Sequence, residues 1–451
     1  MKHFDRYARL VTAGVALAAT SCAWSQQVGP YSLSVFQTVS YQPNVFQAAN
    51  GDDRTSDFIS STGVNFGITQ ALDSLNLFAN GNVQANVYQD TKVLNNPSYG
   101  INLGATSTVE RLSSTIRYSA SQSLGDYGTP GAGATTERNL QTNQEAALAL
   151  RYRMTPRTNL IGGLGWQSLA YSAEAFDSQE STSAVATMDV THQLSPEFSA
   201  GMGLRYSNGS TPNYATGATP GSFVADRFDG EYLDLLFSWR PAADTTLRGR
   251  ISYSRVTHSQ ATQLDYAGLT GGISWIYTPS ERLGLSATLT QNTGSGPNLI
   301  GSPLAAAPAG VGLQSGGGGS ATPDSGSGPG TSSGGGSASG AQAGGVPLTS
   351  DTNRLNTAFS FAGTYQATRT ISVNGSIAVN YGDLVDSSDN TGSAWTTTLA
   401  LGLNYVPTRS ITLGCTIGTT IQNADQSAAA SGLAYSYGSP TIGCTGTFSF
   451  F

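Results

Sequence analysis

Charge is scarce in this chain. Asp, Glu, Lys and Arg make up 11% of its 451 residues, and the formal balance is -7. An acidic chain without a basic stripe excludes nucleic acid as a partner. Long apolar runs are scarce as well. No stretch of eighteen or more apolar residues occurs beyond the N-terminus, which excludes spanning helices. Histidine is reduced to three residues and cysteine to three. No Ser/His/Asp spacing and no cluster of metal-ligating side chains is evident, so neither a catalytic set nor a metal or cofactor is expected.

What is present is alternation. From Leu399, one parity reads Leu399, Leu401, Leu403, Tyr405 and the other Ala400, Gly402, Asn404. After Pro407-Thr408-Arg409 it resumes as Ile411, Leu413, Cys415, Ile417 against Thr412, Gly414, Thr416, Gly418. Successive side chains of a strand point to opposite faces, so each arm has one apolar face and one small polar face. Pro suits the start of the tight turn between them. A second case sets Leu75, Leu77, Ala79, Val83, Ala85 and Val87 against Asn76, Asn80, Asn82, Gln84 and Asn86. That is longer than most sandwich strands and matches a tilted crossing of a bilayer.

Short links recur at Leu72-Asp73, Glu110-Arg111, Pro156, Pro196, Pro241, Pro279, Ala367 and Pro407. Longer polar links fall near 42–56, 90–98, 124–137, 173–180, 208–228, 257–263, 292–352, 382–393 and 422–436. Short and long links alternate, as short periplasmic turns and long extracellular loops do in outer-membrane barrels. Eight short and nine long links imply eighteen strands. The fold class expected is all-β, a transmembrane antiparallel up-and-down β-barrel of about 18 strands. Tyr152, Trp239, Tyr277, Tyr365 and Tyr405 stand near the short turns, and Trp166, Tyr206, Tyr253, Tyr381 and Trp395 toward the long loops. Two such rings mark the two membrane interfaces.

Residues 1–25 read as an export signal. Lys2, Arg6 and Arg9 precede an apolar core, and Ala23-Trp24-Ser25 supplies small residues for cleavage. Removing it takes away these three basic residues and Asp5, which moves the formal charge to -9. Residues 26–451 then form the barrel, with a Gly/Ser-rich extracellular loop at 292–351 whose composition is that of a flexible chain. The ending Phe448-Ser449-Phe450-Phe451 resembles the assembly signal of bacterial outer-membrane proteins, which implies the outer-membrane assembly machinery as a partner. Membrane lipid and lipopolysaccharide are the surroundings expected of such a barrel.

On the inward parity, Arg117, Arg151, Arg205, Arg248 and Arg250 share a face with Glu145, Asp189 and Asp234, and these are the candidate pore-lining residues. Arg248 and Arg250 are expected to face water, and the arginine surplus to favour anions. The other wall is expected to present Ser372, Asn374, Ser376, Thr396, Thr398, Thr412 and Thr416. Cys415 and Cys444 fall on the last two strands about opposite each other, so a disulfide and two lipid-facing thiols both fit. His192 and His258 read as solvated side chains, and Asp383, Asp386 and Asp389 as a solvated acidic loop.

The stretches Val39-Ser40-Tyr41-Gln42-Pro43-Asn44-Val45-Phe46 and Phe228-Asp229-Gly230-Glu231-Tyr232, running on to Trp239-Arg240-Pro241, resemble the β-barrel porin family of bacterial exopolysaccharide gene clusters. The resemblance implies an outer-membrane channel tied to polysaccharide export. The residues themselves fit a channel for a hydrophilic solute or polymer, a small-solute diffusion porin, or a plugged structural or adhesin barrel.

Overall fold

The computed structural model describes residues 30–50, 54–132, 134–215, 223–294 and 352–450. The expected export signal, most of the Gly/Ser segment and Phe451 lie outside the described residues. Eighteen strands follow one another: β1 Tyr31–Gln42, β2 Asp57–Leu72, β3 Leu75–Tyr88, β4 Asn96–Val109, β5 Leu112–Leu124, β6 Leu140–Thr155, β7 Thr158–Tyr171, β8 Ser181–Gln193 and β9 Phe198–Ala215. Then come β10 Phe223–Ala242, β11 Thr245–His258, β12 Tyr266–Ser280, β13 Leu283–Thr293, β14 Asn353–Gln366, β15 Ile371–Val385, β16 Thr391–Thr408, β17 Ile411–Ala424 and β18 Tyr437–Ser449. Each pairs antiparallel with its neighbours in sequence, and β1 pairs with both β2 and β18, so one 18-stranded sheet closes on itself. The fold is the antiparallel barrel that the alternation implies.

Closure satisfies every ladder without leaving an edge, which a strand in hydrocarbon requires. The seam runs from Ser34 opposite Ser449 to Tyr41 opposite Ile442. Inside it, the Thr38 and Thr445 hydroxyls meet at 2.7 Å, both buried. The turns are tight where the sequence is shortest. Leu72 pairs with Leu75 and Val109 with Leu112, and Asp73 and Glu110 take the positive φ that such turns need.

The barrel is apolar on its outside. Leu204, Met202 and Leu269 are each more than 60% exposed, and Trp166, Tyr206, Tyr253 and Trp395 also stand outward. No described helix is long and apolar enough to cross a membrane. Buried apolar clusters gather instead among the long loops, around Leu94 with Tyr127 and around Leu433 with Leu384.

Several strands run further into the expected long links than the sequence reading has them. β13 includes Asn292 and Thr293, and β9 and β10 extend through much of the expected loop 208–228, pairing Ser210 with Arg227. Above the membrane, a strand meets water on both faces. It therefore has no apolar parity to reveal it.

Candidate functional site

All eight pore-lining candidates stand on the inward parity of their strands. Four of them form one buried ionic brace. Arg205 Nη2 lies 3.2 Å from Asp234 Oδ1, and Arg250 Nη1 lies 3.0 Å from Asp234 Oδ2. Arg250 also reaches Asp189 at 3.5 Å. Arg205 donates to Ser252 Oγ at 3.2 Å and lies 3.7 Å above the Tyr232 ring. The register explains the meeting: Asp189, Gly203, Asp234 and Ser252 lie opposite one another on β8 to β11. Gly203 is needed there, because a Cβ would come within 1.8 Å of Asp189 Oδ1.

The brace corrects one expectation. Arg250 does not face water: it is 8% exposed and held by two carboxylates. Parity identifies the face of a side chain but not its partner.

Arg248 and Arg151 are half-exposed in the lumen, while Arg117 and Glu145 are exposed. The guanidinium of Arg151 on β6 lies within Coulomb range of Arg248 on β11 and of Arg153, and Arg248 within range of Arg240. β6 and β11 are separated in the sheet by four other strands. Arg153 and Arg240 were missed by the sequence reading. Arg153 follows Arg151 by two residues and shares its face, a signal that was available.

The facing wall carries no such charge. Asn404 Nδ2 donates to Asn374 Oδ1 at 3.1 Å, and Thr396 Oγ1 to Gln422 Oε1 at 3.0 Å. Thr398 and Thr420 hydroxyls stand 3.4 Å apart. Ser372, Ser376, Thr412 and Thr416 fall on the same inward parity.

The long loops pack onto one another across the extracellular mouth. Asn50 N donates to Ser436 O, Gly131 N to Leu433 O, and Tyr435 Oη to Tyr127 O at 2.6 Å. An aromatic chain runs from Phe46 through Tyr127 and Phe176 to Tyr171, with ring centroids 5.4, 6.3 and 5.3 Å apart. Between these loops lies a cavity of about 210 Å³, bounded by Gly131, Ser178, Tyr214, Asp386 and Leu433. Its lining comes from distant strands, so opposite sides of the mouth meet there.

Two of the loops share one design. Asp57 accepts the N–H groups of Gln89, Asp90 and Thr91, and Asp226 accepts those of Gln260 and Ala261. Asn95 accepts from Tyr88 N and Asp265 from His258 N, each at 2.7 Å. A single 3-10 turn follows in each, Lys92–Leu94 and Thr262–Leu264, and buries its leucine. His258 is a correction to the sequence reading. Its ring is buried, 2.7 Å from Asp226, rather than solvated. His192 is exposed and accepts or donates at Thr158 Oγ1, 3.0 Å away. Asp383 does not belong to a free acidic loop, since Arg354 holds it at 2.7 Å, and Asp386 folds its own turn through Ser388 N and Asn390 N.

Cys415 and Cys444 are directly opposed on β17 and β18, with Sγ atoms 2.14 Å apart, on the lipid-facing side.

No protein-family model matches the chain, and no curated protein matches it. Solved structures resemble it in outline. The outer-membrane protein OpdK of Pseudomonas aeruginosa is 10% identical with a TM-score of 0.43, covering 93% of this chain and 99% of its own. OccAB4 of Acinetobacter baumannii is 10% identical with a TM-score of 0.42, covering 94% and 99%. OprD of Pseudomonas aeruginosa is 8% identical with a TM-score of 0.42, covering 93% and 96%. Likeness of this degree carries no assignment of activity. The chain's own closure, even strand number, turn asymmetry and outward apolar belt are those of a bacterial outer-membrane barrel.

Proposed function

We propose that the protein is a passive outer-membrane channel for small hydrophilic solutes, and that it favours anions. Barrels of 16–18 strands enclose an aqueous path. One observation supports the size class above others: loops from opposite sides of the mouth pack together, with Gly131 N donating to Leu433 O and Tyr435 Oη to Tyr127 O, which narrows the entrance. The preference for anions rests on Arg117 and Arg248, which share the lumen with Glu145 after Asp189 and Asp234 are consumed by the brace. Surplus positive charge on a wall raises the local concentration of anions. Planar-bilayer recording in a salt gradient tests this. The expected pore is anion-selective, with a selectivity that weakens toward 1 M salt, where the screening length falls to about 3 Å. A cation-selective pore overturns the charge reading, and no conductance overturns the channel.

Exopolysaccharide export is the second reading. The family resemblance implies it, and the neutral wall of Asn374, Asn404, Thr398 and Thr420 favours it, because amides and hydroxyls suit sugar hydroxyls. Loss of secreted polymer in a deletion strain, restored by the wild-type chain, supports this reading. Unchanged secretion removes it. The export signal and the extracellular placement of the Gly/Ser segment are part of the proposed outer-membrane channel. Protease added to intact cells is expected to cut that segment first.

A further inference from the structure

The lipid-facing surface is largely apolar, and where Thr397 and Thr419 interrupt it singly, one cluster of three polar side chains interrupts it together. Gln37 on β1 points outward between Val35 and Val39, opposite Thr62 on β2 and Gly446 on β18. Ser60, opposite Val39, lies beside it. All three polar side chains are exposed. Their depth is set by what flanks them. Toward the loops stand Tyr41 and Phe58, whose rings are 4.8 Å apart and mark the extracellular interface. Toward the short turns stand Val64, Leu33, Phe66 and finally Tyr31, all exposed. The group therefore sits on the hydrocarbon side of the aromatic pair.

Within the chain, these groups are only partly satisfied. Gln37 Nε2 donates to Ser60 Oγ at 2.9 Å and weakly to Thr38 O at 3.3 Å, and Thr62 Oγ1 donates to Gln37 Oε1. The amide oxygen has two lone pairs and a hydroxyl has one proton. One lone pair of Gln37 Oε1 and the proton of Ser60 have no partner among the described residues. Hydrocarbon offers neither donor nor acceptor, so a polar group left open at this depth is costly.

We propose that this patch is a self-association face, at which Gln37 of one copy of the chain meets Ser60 of a second copy around a two-fold axis. The open groups are one acceptor and one donor on adjacent positions of the same face. A half-turn places the acceptor of each copy against the donor of the other, which is the reciprocal pairing of an isologous contact. Gly446 and Ala85, opposite Gln37 and Thr62, keep the surface low on both sides. Small residues of this kind let backbones approach within a membrane, where polar side chains hold the contact. The group thus fits a second copy better than it fits a lipid chain.

The test uses the full chain in lipid bilayers, with subunits counted by single-molecule photobleaching as protein is diluted into lipid. The wild type is expected to form dimers. The double variant Gln37→Leu, Ser60→Ala is expected to dissociate at least tenfold more readily. Both changes place apolar side chains against lipid, so the barrel is expected to assemble, and heat-modifiable mobility on gels checks that it has. A photo-crosslinking residue at position 37 supplies a second readout, and the expected adduct is to the same chain. A wild type that stays monomeric at every density overturns the proposal, as does a variant that dimerises unchanged. Crosslinking only to lipid or to a different protein overturns it as well.

Discussion

The wall of β8 to β11 and the wall of β14 to β18 face the same lumen, and they are held together by different means. On the first, Asp189, Arg205, Asp234 and Arg250 are buried and bonded to one another. On the second, Asn374 with Asn404 and Thr398 with Thr420 make single neutral contacts. The outer faces of both walls are alike, which shows that lipid constrains only one side of each strand. The lumen side is free to vary, and its charge is where function is written. The difference also separates two roles for arginine. Arg205 and Arg250 brace the wall, whereas Arg248 remains half-exposed in the lumen.

The largest expected effect tests the brace. Asp234→Asn leaves Arg205 and Arg250 buried without their shared carboxylate, and breaking such a pair costs about 3–5 kcal/mol. Thr398→Val on the other wall is expected to cost about 0.5 kcal/mol, since it removes one long contact. Unfolding in denaturant, read by loss of heat-modifiable mobility, measures both. Equal tolerance of the two changes would remove the distinction between the walls.

Next is Gly203→Ala. A methyl group there would collide with Asp189 Oδ1 at 1.8 Å, and overpacking of this kind costs about 1–3 kcal/mol. Gly162→Ala is the control. Its Cβ would meet only Thr187 O, at 4.0 Å, so stability is expected within about 0.5 kcal/mol of wild type.

Selectivity is a smaller effect. A unit charge acting through about 8 Å of water is worth about 0.5 kcal/mol, or roughly a twofold change in permeability ratio. Arg248→Ser is expected to shift the reversal potential toward cations by that amount. Asn374→Ser is expected to leave it unchanged. An unchanged potential in both would end the claim that Arg248 meets permeating ions.

The smallest effect lies at the mouth. Hydrogen bonds from Ala428 N–H, then from Ser393 and Ser427, hold the exposed Asp425 carboxyl below its usual range. A carboxyl lowered by folding stabilises above its unfolded pKa, and that contribution is lost as pH falls through the folded value. The protection factor of the Ala428 amide, its exchange relative to the intrinsic rate at each pH, is therefore expected to fall below the ordinary carboxylate range. Asp425→Ala should give the low protection factor at every pH, and an Ala428 amide indifferent to both changes refutes the assignment.

Much of the fold was legible in the chain. Period-two alternation and alternating link lengths specify eighteen strands, their order and their two faces, because a membrane demands one apolar side from every strand. The inward parity of Arg151 and Asp234 followed by the same reasoning. Strand extension above the membrane did not, as Ser210 and Arg227 show, since no lipid imposes a pattern there.

Sequence by itself therefore determined the barrel, its strand order and the inward parity of most of its lumen charges. Tertiary structure decided which of those charges remain available. Partners such as Arg250 with Asp189 lie 61 residues apart, and their meeting depends on the register of four strands and on a glycine between them. It also decided that His258 is buried against Asp226 and that the long loops meet across the mouth. Periodicity reports which medium a side chain faces. It carries no information about which distant side chain shares that medium, and the exposure of a charge depends on that neighbour.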